Sequence, residues 1–218
     1  LRLWGQPAPA YLSLALVWLL VAAAYHGADW WGGALALSLA LAFLWALRQG
    51  RPPEALSLWL PLVAALAYLG LLGTHLVLLR RLPDGRDLTL LAVFGAFATD
   101  TAAYMVGRAL GRRRLAPHLS PGKTWEGTLG GLLLGSLGVV LINWATGLRL
   151  PPAEVAALAP LLALSAILGD LCESFLKRGA SVKDASAAIP GHGGFLDRLD
   201  SVLFTVPLVY YWSLWVSG

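Results

Sequence analysis

The acidic residues of this chain are few, and their spacing is informative. Asp170, Glu173 and Ser174 fall at i, i+3 and i+4, which places them on one helix face. Asp197 and Asp200 share a face at i, i+3, where a last apolar run begins. Carboxylates on two facing helix ends are hard oxygen ligands suited to Mg²⁺. Between them lie Lys177, Arg178, Lys183, His192 and Arg198. Pro190-Gly191-His192-Gly193-Gly194 forms a loop whose backbone N–H groups can approach a phosphate. Carboxylates for a metal, with cations and glycines for phosphate, point to phosphoryl or nucleotidyl transfer. Taken singly, each feature has an ordinary explanation. Lys177, Arg178 and Lys183 fit a positive membrane flank, Asp197 and Asp200 suit the positive end of a helix dipole, and His192 suits a turn. Their crowding beside Asp170 is what argues for a site.

A second polar segment runs from Asp100 to Gly127. Asp100 sits within an apolar run, where a carboxylate needs an internal partner or a cavity. Tyr104 lies one turn further on. Gly107 and Gly111, four apart, read as a close helix contact. Ser120-Pro121-Gly122-Lys123-Thr124 reads as a helix start with a free lysine. It is not a phosphate-binding P-loop, which needs a further glycine upstream. Lys123 remains a candidate phosphate ligand. Together the two segments hold seven of the twelve acids, nine of the sixteen basic residues and all three lysines.

These segments must be held by apolar elements. Of the 218 residues 58% are hydrophobic and 13% charged, against about 25% charged in soluble proteins. That excludes a soluble globule and a disordered chain, and the single cysteine, Cys172, excludes a disulfide scaffold. An all-α, polytopic membrane protein remains. Runs long enough to span hydrocarbon fall at 9–26, 30–47, 55–79, 88–109, 127–146, 154–176 and 199–217. The third contains Pro61, Gly70 and Gly73, so a kink is expected there. Seven passes put twelve of the sixteen basic residues on the face that carries both polar segments. By the positive-inside rule that face is cytoplasmic. The net charge of +4 then fits anionic lipid, not nucleic acid. No signal peptide is expected from the residues that precede the first run.

The two polar segments resemble a known family, the phosphatidate cytidylyltransferases or CDP-diacylglycerol synthases. The resemblance rests on Ser174, Lys177-Arg178, Lys183-Asp184, His192-Gly193-Gly194, Asp197-Arg198 and Asp200. It is reinforced upstream by Asp100-Thr101, Tyr104, Gly107-Arg108, Gly111, Ser120-Pro121, Lys123-Thr124 and Glu126-Gly127. It is strong over 95–218. Family members carry further N-terminal spans, so the chain is expected to lack the first one or two. The implied organisation is N-terminal transmembrane helices at 1–87 and a catalytic transmembrane domain at 88–218.

The resemblance implies that CTP and phosphatidate, drawn from the lipid bilayer, give CDP-diacylglycerol and pyrophosphate at the cytoplasmic face of the inner membrane. It implies Mg²⁺ on Asp170 and Asp197, with a second cation compatible, and Asp200 and Lys177 as further catalytic residues. Substrate binding falls to Asp100, Tyr104, Arg108, Ser120, Lys123, Thr124, Ser174, Arg178, Lys183, Asp184, His192, Gly193, Gly194 and Arg198. The family also suggests a homodimer. Two alternatives stay open: a CTP-dependent enzyme acting on another lipid, such as a CDP-archaeol synthase or a polyprenol kinase, and a membrane transporter. A transporter would spread its charges through several spans instead of crowding them at one face.

Overall fold

The computed structural model describes residues 10–179 and 196–217. The apolar runs form helices α1 (Ala10–His26), α2 (Ala28–Leu47), α3 (Pro52–Ala65), α4 (Leu72–Arg80), α5 (Gly85–Leu110), α6 (Trp125–Thr146), α7 (Pro152–Gly179) and α8 (Leu196–Ser217). Helices α3 and α4 are parts of one span, Pro52–Arg80, joined by a π-helical turn at Leu66–Leu71. Among the described residues six helical segments, Pro52–Arg80 being one, are long and apolar enough to cross a membrane, and α1 is a shorter apolar helix. The protein is an all-α, multi-pass membrane protein. The irregularity expected in the third span lies around Gly70, not at Pro61. A β-carbon on Gly70 would come within 2.6 Å of Leu20 Cδ1, so the glycine lets that turn press against α1.

The chain divides into two compact units, Leu1–Arg81 and Leu82–Gly218. In the first, Leu16 and Leu20 of α1 pack with Ala34 and Ala42 of α2 and with Leu62 and Leu66. Trp31 Nε1 donates to Thr74 Oγ1 at 2.9 Å, inside that unit. The second unit contains all the residues singled out for chemistry.

Within the second unit the tightest pairing is α5 with α6, and small residues make it possible. A β-carbon on Gly131 would lie 2.8 Å from Ala103 Cβ, and one on Gly135 would lie 2.5 Å from Thr99 Oγ1. Gly107 belongs to the same seam, facing the Gly127 backbone, as its spacing suggested. Between α5 and α6 the chain forms a β-hairpin, β1 (Arg114–Ala116) and β2 (Ser120–Thr124), antiparallel with Arg114 opposite Thr124. Here the structure corrects the expectation of a helix start at Ser120. Ser120–Thr124 is a strand, and Thr124 is the N-cap of α6, its Oγ1 accepting the Gly127 N–H at 3.1 Å. The hairpin base is fixed by Glu126, whose Oε2 accepts the Arg112 N–H at 3.0 Å and the Arg113 N–H at 3.2 Å.

Helix α8 crosses back against α7. Thr205 Oγ1 donates to the Ala92 carbonyl of α5 at 3.1 Å, and Val206 and Val209 are buried. At the other end of α8 the contact is with Gly169 of α7. A β-carbon there would lie 2.7 Å from the Asp200 carbonyl oxygen and 3.0 Å from Ser201 Cα. Only a residue without a side chain lets the two helices approach this closely.

Candidate active site

The approach at Gly169 has a chemical consequence. It brings Asp200 of α8 beside Asp170 and Glu173 of α7, and each offers a carboxylate oxygen within 4.8 Å of the others. Glu173 is 2% exposed and Asp200 8%. Bringing carboxylates together in a poorly solvated place is costly unless cations answer them. Two lysines do so. Lys177 Nζ lies 2.7 Å from Glu173 Oε2, one helical turn away, and 2.7 Å from Asp197 Oδ1. Lys123 Nζ, from strand β2, lies 2.5 Å from Asp170 Oδ2.

The Lys123–Asp170 pair joins the two polar segments. It corrects the expectation of a free lysine, because the hairpin folds β2 over the end of α7. A second tie runs the same way: Arg178 Nε donates to the Leu119 carbonyl of the hairpin at 3.1 Å. Arg178 was expected on phosphate, and here its Nε holds the hairpin. Asp100 of α5 is within electrostatic reach of Asp170, Lys123 and Asp200.

A cavity of about 470 Å³ opens beside the pair, lined by Asp100, Tyr104, Arg108, Arg114, Ser120, Lys123, Thr124 and Asp170 among others. Arg108 Nη1 donates to Tyr104 Oη at 3.0 Å, one helical turn away. Arg108 and Arg114 are exposed, so the cavity has a cationic rim that suits a polyanion.

The structure therefore gathers Asp100, Tyr104, Arg108, Ser120, Lys123, Thr124 and Asp170 around one cavity, with Lys177, Asp197 and Asp200 in the adjoining acidic cluster. Ser174 is buried on α7, and Arg198 is exposed in the first turn of α8. Lys183, Asp184, His192, Gly193 and Gly194 lie outside the described residues. Two placements differ from expectation. Glu173 and Asp200 join Asp170 in one carboxylate cluster. Asp197, expected as its partner, meets Lys177, because that ammonium reaches across from α7 between Glu173 and Asp197. Gly169, Glu173 and Arg114 were not among the expected site residues. The i+3 spacing from Asp170 pointed to Glu173, but nothing local pointed to Gly169 or Arg114.

The donor set suits a hard divalent cation. Glu173 Oε1 is buried and has no hydrogen-bond partner among the described residues. A buried carboxyl oxygen so placed calls for a cation or a donor.

Residues 3–215 match the family model for the cytidylyltransferase family. The chain belongs to this family. It is 36% identical to the phosphatidate cytidylyltransferase of Pseudomonas aeruginosa over 219 aligned positions, covering 98% of this chain and 72% of that protein. It is 37% identical over 148 positions to the enzyme of that name from Bacillus subtilis, covering 67% and 55%. The Synechocystis protein of the same name is 47% identical over 135 positions, covering 59% and 44%. The chain thus spans about half the length of the Bacillus and Synechocystis relatives. In this cytidylyltransferase-family chain the match encloses both polar segments and the helices that bring them together.

Proposed function

We propose that the protein transfers the cytidylyl group of CTP to phosphatidate, giving CDP-diacylglycerol and pyrophosphate at the cytoplasmic face of a bacterial inner membrane. The observation that carries this reading is the Lys123–Asp170 contact, which makes one site of the cation-rimmed cavity and the buried carboxylates. A site with both halves suits a reaction between two polyanions and separates this chain from a channel with scattered charges. The cytoplasmic orientation is supported by the twelve basic residues expected on that face.

In the proposed reaction a phosphate oxygen of the lipid attacks the α-phosphorus of CTP. The bond from that phosphorus to the bridging oxygen breaks, and pyrophosphate leaves with the electron pair. The attacking oxygen is already anionic near neutral pH, so no strong general base is required. The task is to hold two polyanions together and to stabilise the charge on the leaving group. Arg108, Arg114 and Lys123 line the cavity where phosphates would be clamped, and Lys177 adds charge next to the acidic trio. Asp170, Glu173 and Asp200 would hold Mg²⁺, with Asp197 completing the acidic set through Lys177. Bound magnesium would supply Lewis-acid stabilisation of phosphoryl charge. Glycerolipid chains would enter sideways from the bilayer and CTP from the aqueous side.

The test is direct. Purified protein in detergent is incubated with phosphatidate, MgCl₂ and each of the four ribonucleoside triphosphates, and lipid-linked nucleotide and pyrophosphate are scored. CTP-specific formation of both products is expected. Pyrophosphate release without a lipid-linked nucleotide, or product only from a different lipid phosphate, would refute the assignment.

A further inference from the structure

The two described lysines of the site are held very differently. Lys177 sits on α7, one turn from Glu173, and bridges two carboxylates at 2.7 Å each. Its ammonium is tied to its own helix and to α8. Lys123 extends from a five-residue strand, and its only ion pair among the described residues is with Asp170. Its side chain is 20% exposed and lines the cavity. The next residue back, Gly122, has nothing within 4 Å of where a β-carbon would be, so this part of the hairpin has room around it. Lys123 is thus the cation that can leave.

Asp170 meets Lys123 and also belongs to the cluster with Glu173 and Asp200, where Glu173 Oε1 is buried and has no hydrogen-bond partner among the described residues. Lys123 neutralises Asp170 but leaves that buried oxygen unanswered. A divalent cation among the three carboxylates would answer it and would repel an ammonium on the same aspartate. The freed ammonium would then lie in a cavity rimmed by Arg108 and Arg114, where phosphate is its natural partner.

We propose that Lys123 is the resident counter-ion of Asp170, that a divalent cation displaces it, and that the displaced ammonium then turns to a phosphate in the cavity. The exchange swaps one ion pair for another and moves no proton. It would order the binding events: the metal prepares the phosphate site, and without it Lys123 stays closed on Asp170. The phosphate could belong to a nucleotide or a lipid. In this respect alone the inference rests on the proposed cytidylyl transfer, since the displacement itself requires no nucleotide.

The experiment measures metal binding by the nucleotide-free chain in detergent, with Mn²⁺ as probe and free ion read by electron paramagnetic resonance. Lys123→Met removes the competing ammonium, and Mn²⁺ should bind about tenfold tighter, or about 1.4 kcal/mol. Lys123→Arg keeps the charge and should bind as the wild type does. A second measurement uses only wild-type protein. Brief acetylation followed by mass spectrometry should show Lys123 becoming several-fold more reactive when Mn²⁺ is added, with Lys177, which keeps Asp197 as a partner, changing less. Equal or weaker Mn²⁺ affinity in Lys123→Met would overturn the inference. So would an unchanged Lys123 reactivity, which decides the matter if the methionine variant does not fold. CTP-dependent turnover is assayed separately, so it can survive either failure, and the exchange can be upheld even if the substrate is not CTP.

Discussion

Gly169 offers the sharpest test of how the fold makes the site. Replacing it with alanine adds one methyl group where the nearest atoms are the Asp200 carbonyl oxygen at 2.7 Å and Ser201 Cα at 3.0 Å. Both belong to the backbone of α8, so no side chain can swing aside. Restoring an ordinary contact requires α8 to retreat by about 0.7 Å, within the range of small-to-large changes that typically cost 1–3 kcal/mol. The retreat draws Asp200 away from Asp170 and Glu173. A misplacement of about 1 Å at reacting groups costs on the order of a hundredfold in rate. Gly169→Ala should therefore remain folded, melt at a lower temperature and turn over CTP some ten- to a hundredfold more slowly. Gly169→Val, whose branches reach further into α8, should be worse on both counts. Tryptophan fluorescence melts in detergent and the lipid-nucleotide assay read the two effects. An alanine variant with wild-type melting and turnover within twofold of wild type would show that the helix approach is not what sets the carboxylate geometry.

Four further outcomes follow from the same geometry. Asp170→Asn and Asp200→Asn each remove a charge that a hard cation needs, and turnover should fall about a thousandfold, several kcal/mol of barrier; a folded variant retaining more than about a tenth, under about 1.4 kcal/mol, is not missing a metal ligand. In the same assay Asp197→Asn separates that residue's roles, since a comparable loss would assign it to the metal and a loss near tenfold to orienting Lys177. In a Cys172→Ser background, cysteines at His118 and Gly179 should both react with a membrane-impermeant maleimide added from the cytoplasmic side; labelling from opposite sides would break the single-site arrangement. Thr124→Ala removes the N-cap of α6 and should cost about 1 kcal/mol of stability, while Thr124→Ser should melt as the wild type does.

Much of this was legible in the sequence because lipid imposes a simple rule. A helix must be apolar to cross, so the seven apolar helical runs, six of them long enough to span, could be read from the sequence, and charges surviving inside them drew attention to Asp100 and Asp170. The hairpin was not legible. Ser120-Pro121-Gly122-Lys123-Thr124 contains the residues of a helix start, and only its pairing with Arg114–Ala116 makes it a strand. That pairing decides what Lys123 does. A lysine at a helix start would face solvent, whereas on β2 it reaches Asp170 of a helix two elements later.

Gly169 and Asp197 show a different limit. Local spacing states which residues share a face of one helix, and by that rule Asp170 and Glu173 belonged together. Which residue of α8 joins them depends on the depth at which the two helices meet. Gly169 sets that depth by admitting the α8 backbone at Asp200 and Ser201. Asp197, one turn earlier, is left for Lys177. A glycine next to an aspartate within an apolar run carries no distinctive signal, since glycines are common in membrane helices for packing alone. Its importance arises only because the backbone it admits carries a carboxylate. The buried charges that mark this site are thus placed by a residue with no chemistry of its own, and the same contact that packs α7 on α8 sets the spacing of the acidic trio.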